Sequence, residues 1–218
     1  EAALAGSGQV AYVTGGAGRG KTALAEEFAR RAMDSHSELL VAAGRCNAYS
    51  GIGDPYLPFR EALGMLTGDL EGRWISGSIS REQALRHWAA MPSVVEALVN
   101  HGSHLVDLML AGQALLSRAA ASDAAQASWF QALRAVVERQ TETDRLAQNR
   151  LFQEFTATLQ AVARLHPLVL VLDDMQWADT ASISLLFHLG RQLGNTRILI
   201  LIAYRPDEVA LGRNGNRH

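Results

Sequence analysis

Lysine is almost missing from this sequence: Lys21 is the only one in 218 residues, and every other formally basic side chain is arginine. Cysteine is as scarce. Cys46 stands alone, so no disulfide can form within the chain, and a reducing cytoplasm is the simplest setting for it. No apolar run approaches the roughly 18–20 residues that a membrane-spanning helix needs, and the first residues lack the basic flank and long apolar stretch of a signal peptide. An excess of charge is missing too: a net charge of −2 and a pI near 6.4 give no electrostatic reason to expect nucleic acid as a direct ligand. What remains, 48% hydrophobic residues, is enough to bury a substantial core as one α/β domain or a domain with a large insertion.

The stretch Val10–Thr22, VAYVTGGAGRGKT, carries the strongest local signal. A strand-like apolar run, Val10–Val13, feeds a loop in which Gly15, Gly20, Lys21 and Thr22 fill every fixed position of the phosphate-loop pattern G-x-x-x-x-G-K-[ST]. Glycines at 15, 16, 18 and 20 let the backbone turn its N–H groups inward, so Gly15, Gly16, Ala17, Gly18, Arg19 and Gly20 are expected to cradle phosphate oxygens. The following helix adds its positive dipole end. Lys21 then brings a full charge to the β/γ oxygens, and the Thr22 hydroxyl is a candidate ligand for Mg²⁺. The plainer alternative is an ordinary Gly-rich turn between strand and helix, which leaves the match at all four fixed positions to chance. Survival of the one lysine at this position fits a site that needs a compact ammonium rather than a planar guanidinium. The same scarcity leaves no second lysine for an Asn-Lys-x-Asp guanine-reading element, which favours adenine.

Thr22–Met33 reads as a helix, with Leu24, Phe28 and Ala32 recurring at four-residue spacing and Glu26, Glu27, Arg30 and Arg31 on the polar side. Leu39–Ala43 is a second short strand, so the start of the chain predicts a βαβ unit in a parallel sheet. Asn47–Pro58 is a loop. From Phe59 to about Leu165 no strand pattern occurs; helices are expected over Phe59–Leu66, Arg81–Ala90, Ser93–Leu110, Asp123–Gln140 and Thr141–Leu165. Trp74, Trp88 and Trp129 are expected to pack this block, and Cys46 to fill space at a strand end. His101 and His104 lie at i, i+3 but have no Cys or further His at ligand spacing, which argues against a metal there.

Pro167 ends the helical stretch, and Leu168–Leu172, LVLVL, reads as a strand covered on both faces. It delivers Asp173 and Asp174 to the carboxyl edge of the sheet, where open parallel sheets bind ligands. Two adjacent carboxylates need a compensating cation. Asp173 is therefore the expected Mg²⁺ ligand, and Asp174 the carboxylate that polarises a water for attack on the γ-phosphate. Asp179 fits a helix cap better than either, since it precedes the amphipathic stretch Thr180–Leu193 with Ile183, Leu186 and Leu189 inward. A fourth strand, Ile198–Ala203, ends at Arg205, which is placed to reach a γ-phosphate; pairing with Asp207 or Glu208 is the plainer alternative.

VLVLDDMQWADTASISLL resembles the hhhhDDxxWADxxS segment of the STAND-type P-loop ATPases, the AAA-like ATPase module of large bacterial regulators such as LuxR-type and MalT-like activators and multidomain cyclases and kinases. GGAGRGKTALAEEFA, GRCNAYSGIGDPYLPFREAL and ILILIAYRPDE are similar to the same family in the same order, over about Val10–Glu208 with a poorly matching helical middle. The resemblance implies a P-loop NTPase three-layer sandwich with a parallel sheet and a large all-helical insertion between the second and third strands. It implies Lys21 and Thr22 for phosphate and Mg²⁺, Asp173 for Mg²⁺, Asp174 as the catalytic carboxylate, Arg205 as sensor and Trp177 as a packing residue. The expected division is 1–53 for the loop and first βαβ portion, 54–150 for the insertion and 151–218 for the Asp pair and sensor portion.

Both ends read as cut, so a truncated core is expected, with the downstream regulatory domains outside the chain and an open sheet edge that favours self-association. The expected activity is slow hydrolysis of Mg·ATP by a nucleotide-dependent signalling or transcription-regulatory switch, with ATP and ADP as small-molecule partners and no nucleic acid or membrane. Two alternatives stay open: a P-loop kinase with an Arg-rich lid from Arg73, Arg81 and Arg86, and a non-catalytic module in which ATP is structural.

Overall fold

Two apolar runs, LVLVL and ILILI, take the centre of the sheet. The computed structural model describes residues 1–48, 55–121, 127–139 and 148–215, the last five as backbone alone. Its strands β1 (Gln9–Thr14), β2 (Leu40–Arg45), β3 (Leu168–Asp173) and β4 (Ile198–Tyr204) are all parallel, in the order β1-β4-β3-β2. The helices are α1 (Lys21–Ser35), α2 (Leu57–Leu66), α3 (Glu71–Ile75), α4 (Arg81–His101), α5 (Leu105–Leu108), α6 (Gly112–Ala120), α7 (Ser128–Glu138), α8 (Gln148–Leu165), α9 (Thr180–Arg191) and α10 (Pro206–Gly215). The chain divides into two compact units, Glu1–Ala62 with Leu168–His218, and Leu63–Pro167.

The first unit is the α/β layer structure that the sequence predicts. Every residue of β3 is buried, as expected of a strand without polar alternation. β1 and β2 run parallel as a βαβ unit should, yet they are not neighbours: β4 and β3 lie between them. Burial decides this, because the unbroken apolar strands fill the inner positions while β1, exposed at Gln9, Tyr12 and Thr14, takes an edge. Helices cover both faces. On one, Ala25, Ala29 and Met33 of α1 pack on Val41, Val169, Val171 and Leu201. On the other, Gly190 of α9 lies next to Val10, whose side chain alternates away from Ala11 and Val13.

The inward stripe of α1 differs from the expected one. Leu24 is 60% and Phe28 42% exposed, whereas Lys21, Ala25, Ala29 and Met33 are buried. Both stripes have four-residue spacing, and the position of Lys21 sets the phase: its side chain turns toward the loop, so the residues four, eight and twelve further on follow it inward. In α9 the structure buries Ser182, Leu185 and Leu189 and leaves Ile183 and Leu186 only half-buried.

All described elements of the second unit are helices, and they form the insertion between β2 and β3. α4 starts at a capping box, where Ser80 Oγ accepts the Gln83 N–H and Gln83 Oε1 accepts the Ser80 N–H. It then runs through Pro92 to His101, joining two helices expected to be separate. Ser93 Oγ donates to the Ala90 carbonyl beside the proline, and eight buried residues along the helix hold it together. The break comes at Gly102 instead: a Cβ there would lie 2.5 Å from Thr158 Oγ1 of α8. α6 has no counterpart in the sequence reading, and residues 123–126 and 140–147 of the expected helices lie outside the described residues. Trp129 is buried beside Phe130, but Trp74 and Trp88 are 48% and 42% exposed and pack edge to face on each other.

Candidate functional site

The carboxyl ends of all four strands meet at one edge, since the register pairs Thr14 with Tyr204, Leu172 with Ile202 and Arg45 with Asp173. The glycine loop leaves β1 at that edge and α1 begins there. Gly18 and Gly20 have φ of +68° and +76°, and a Cβ at either would meet nothing within 4 Å among the described residues. Glycine is therefore required by backbone conformation and not by crowding. Gly16 is not among the positive-φ glycines; its carbonyl accepts the Lys21 ammonium at 2.8 Å. Ala17 and Arg19 are exposed at the loop's tip, while Lys21 is 9% exposed at its base. A charge so buried needs partners, and the loop carbonyl supplies one.

Thr22, the next residue, reaches across to β3. Its Oγ1 donates to Asp173 Oδ2 at 2.7 Å, bridging 151 positions of sequence. Asp173 is 6% exposed and its other oxygen, Oδ1, accepts the N–H of Asp174 at 2.8 Å. That bond goes with an unusual backbone: Asp174 is left-handed, with φ 53° and ψ 35°, one of the few non-glycine residues there. Aspartate tolerates this region better than most residues, and the turn redirects the chain into a 3-10 turn, Met175–Trp177.

Asp174 is held from its side chain as well. Oδ1 accepts from Gln176 Nε2 at 2.9 Å, and Gln176 Oε1 in turn accepts the backbone N–H of Arg205 at 3.1 Å. One amide thus ties the second carboxylate to the end of β4. Arg205 Nη2 lies 3.9 Å from Asp174 Oδ1, and its Nη1 donates to Glu208 Oε1 at 2.6 Å. The Glu208 carboxylate raises the Arg205 pKa, which keeps the guanidinium charged.

The compensation that two adjacent carboxylates need comes from two arginines. Arg45 Nη2 donates to Asp173 Oδ2 at 3.0 Å, and its Nε lies 3.8 Å from Asp174 Oδ2. Sequence reasoning passed over Arg45 and Gln176, whereas the pairing of Arg205 with Glu208 is the plainer alternative it kept open. Arg45 ends β2 in register with Asp173, a pairing that only the fold creates. Asp179 caps α9 as expected: Oδ1 accepts the Ser182 N–H at 2.9 Å, and Oδ2 accepts the Ser182 hydroxyl. Cys46 follows Arg45 with its thiol 3.7 Å from the Met175 sulfur, buried and pushed up to about 12 by desolvation and then by Asp179, Glu61, Asp174 and Asp173. In the helical unit, His104 Nδ1 pairs with Glu154 Oε1 at 2.8 Å, and Arg150 pairs with the same carboxylate.

The donor set fits the Mg²⁺ expected from the sequence. A hydroxyl and a carboxylate oxygen within 2.7 Å of each other are hard oxygen ligands, and Mg²⁺ takes few protein ligands when phosphates and water complete its shell. The loop fits a phosphate: unhindered glycines and one ammonium stand at a helix start. A family model described as AAA ATPase domain matches residues 1–202 of the chain. No curated protein matches it.

Proposed function

This chain belongs to the AAA ATPase domain family and is a P-loop ATPase-like module, and from that premise we propose that it binds Mg·ATP at the carboxylate edge and hydrolyses it slowly, as a nucleotide-dependent switch for signalling or transcriptional control. The observation that carries the reading is the Thr22–Asp173 contact of 2.7 Å beside the base of the glycine loop. It puts a hydroxyl and a carboxylate where a phosphate-bound cation would need both.

In this reading the backbone N–H groups from Gly15 to Gly20 hold the β-phosphate, and the Lys21 ammonium exchanges its bond to the Gly16 carbonyl for the β/γ oxygens. Thr22 and Asp173 would hold Mg²⁺, which when bound draws off charge that develops on the phosphate oxygens. Asp174 accepts a hydrogen bond from a water and orients it for in-line attack; the Gln176 amide fixes the carboxylate, and Arg205 stands beside it to meet the terminal phosphate. The switch follows from the same contacts: Arg205 opens α10, so whether a γ-phosphate engages it bears directly on the chain that continues from β4. Cytoplasmic, bacterial and STAND-like placement are part of this proposal.

Calorimetric titration with ATP, ADP and GTP, with and without Mg²⁺, tests it, with ATP binding expected to require Mg²⁺ and to exceed GTP. Lys21→Ala is expected to abolish binding; retained affinity would contradict the assignment. Asp174→Asn is expected to keep ATP affinity and to lower turnover by about 10²–10⁴-fold, the range of a lost general base. Unchanged turnover would remove Asp174 from the mechanism. ADP release without any added acceptor separates hydrolysis from phosphoryl transfer.

A further inference from the structure

Arg205 leaves β4 at the carboxylate edge, bonded to Glu208 and close to Asp174. Its contact with Glu208 is end-on, Nη1 to Oε1 at 2.6 Å, within the first turn of α10. The Nε of Arg205 and the Oε2 of Glu208 are both buried, and among the described residues neither has a hydrogen-bond partner. A side-on bidentate pair would use Nε together with Nη2 against both carboxylate oxygens, because the guanidinium fork matches a carboxylate along one edge; Glu208 holds Nη1 alone. The pair here makes one bond rather than two, and Nη2 lies 3.9 Å from Asp174 Oδ1. The guanidinium is thus divided between Glu208 and a carboxylate of the site and is fully satisfied by neither. Buried polar atoms left without partners are a standing penalty that an incoming multidentate acceptor would relieve.

We propose that Glu208 is a specificity-determining residue of the nucleotide site: it competes with the terminal phosphate of a nucleoside triphosphate for Arg205, and so sets how strongly triphosphate is preferred over diphosphate. The proposal rests on the reading of the site given above. A terminal phosphate offers several charged oxygens, so it can take the edge formed by Nη2 and the orphaned Nε, and the guanidinium turned to meet it gives up Nη1–Glu208. A diphosphate held in the glycine loop lacks that group and leaves the Arg205–Glu208 pair as it is. The apparent affinity for triphosphate is then lowered by the share of Arg205 that Glu208 retains, while the affinity for diphosphate is not. An ordinary i, i+3 surface pair, by contrast, would influence neither ligand.

The test is calorimetry with Mg²⁺ and either a non-hydrolysable ATP analogue or ADP, on the unaltered chain, Glu208→Gln, Arg205→Ala and the double variant. Glu208→Gln is expected to tighten the triphosphate analogue by about fivefold or more, the lower end of couplings between linked groups, with ADP unchanged. In the Arg205→Ala background the same substitution is expected to do nothing. Glu208→Asp keeps the charge one methylene short of the fork and is expected to fall between; it also serves if the glutamine variant does not fold. Equal changes for both nucleotides, no change for either, or an effect that survives Arg205→Ala would each overturn the competition. If the unaltered chain binds neither nucleotide, the reading of the site fails and takes the proposal with it, an outcome distinct from normal binding that is insensitive to position 208.

Discussion

Cys46 sits one residue beyond Arg45, close to the carboxylate edge, and its thiol is the least reactive kind a protein offers. Burial comes first and the nearby carboxylates Asp179, Glu61, Asp174 and Asp173 follow; together they push it up to about 12 from an ordinary 9.0. Since the thiolate is the nucleophile, alkylation by iodoacetamide at pH 8 is expected to be orders of magnitude slower in the folded chain than in urea. Labelling at similar rates would mean that the strand end is open. The linkage has a definite sign: the folded pKa is raised, so the unfolded chain loses its proton first as pH rises. The stability contributed by the neutral thiol is complete below about pH 9 and is lost progressively toward pH 12, a slope that denaturant melts should find and that Cys46→Ala should remove. At this scale the sequence was readable where the chemistry is local. Lys21 and Thr22 are adjacent, Asp173 and Asp174 are adjacent, and strand ends are where such residues act. Arg45 and Gln176 were not readable, because what defines them is contact with carboxylates or amides brought in by folding: Arg45 meets Asp173 from 128 positions away.

Elements were legible in kind and less so in phase and in extent. The loop-to-helix start required Lys21 to face inward, and that requirement outweighed the larger side chains of Leu24 and Phe28 in setting which stripe of α1 is buried. The sequence predicts separate helices up to Ala90 and from Ser93, yet one helix with buried residues on both sides of Pro92 runs through, and the stop is the close approach at Gly102. The same kind of approach makes a testable position in β2. A Cβ on Gly44 would lie 1.8 Å from the Pro58 carbonyl oxygen, where α2 begins, and backbone cannot swing aside as a side chain does. Gly44→Ala is expected to destabilise by about 1–3 kcal/mol, typical of overpacking, which lowers the melting temperature by about 2–12 °C in a chain of this size. A melting temperature within a degree of the unaltered chain would mean that the β2–α2 junction relaxes freely.

For the whole molecule, the sheet's order bears on association. The helical stretch without strand patterns was visible in the sequence as an interruption, but the order β1-β4-β3-β2 was not, because periodicity tells which strands are buried and not which pair. That order leaves β1 at an end of the sheet, with β4 as its one strand neighbour among the described residues. A strand so placed has unused N–H and C=O groups along its outer side, a template for pairing unless charge or proline blunts it. β1, QVAYVT, has neither, and Tyr12 in its middle is 64% exposed, with its ring edge to face with that of Tyr204. Concentration-dependent self-association through this edge is therefore expected in sedimentation at tens to hundreds of micromolar, about the range in which unblunted edges make contact. Tyr12→Lys places a charge on that edge and, being largely solvent-exposed, leaves the core intact; it is expected to return the chain to monomer without lowering its melting temperature. A chain already monomeric at high concentration, or a lysine variant that associates as before, would show that the edge is protected by something other than charge.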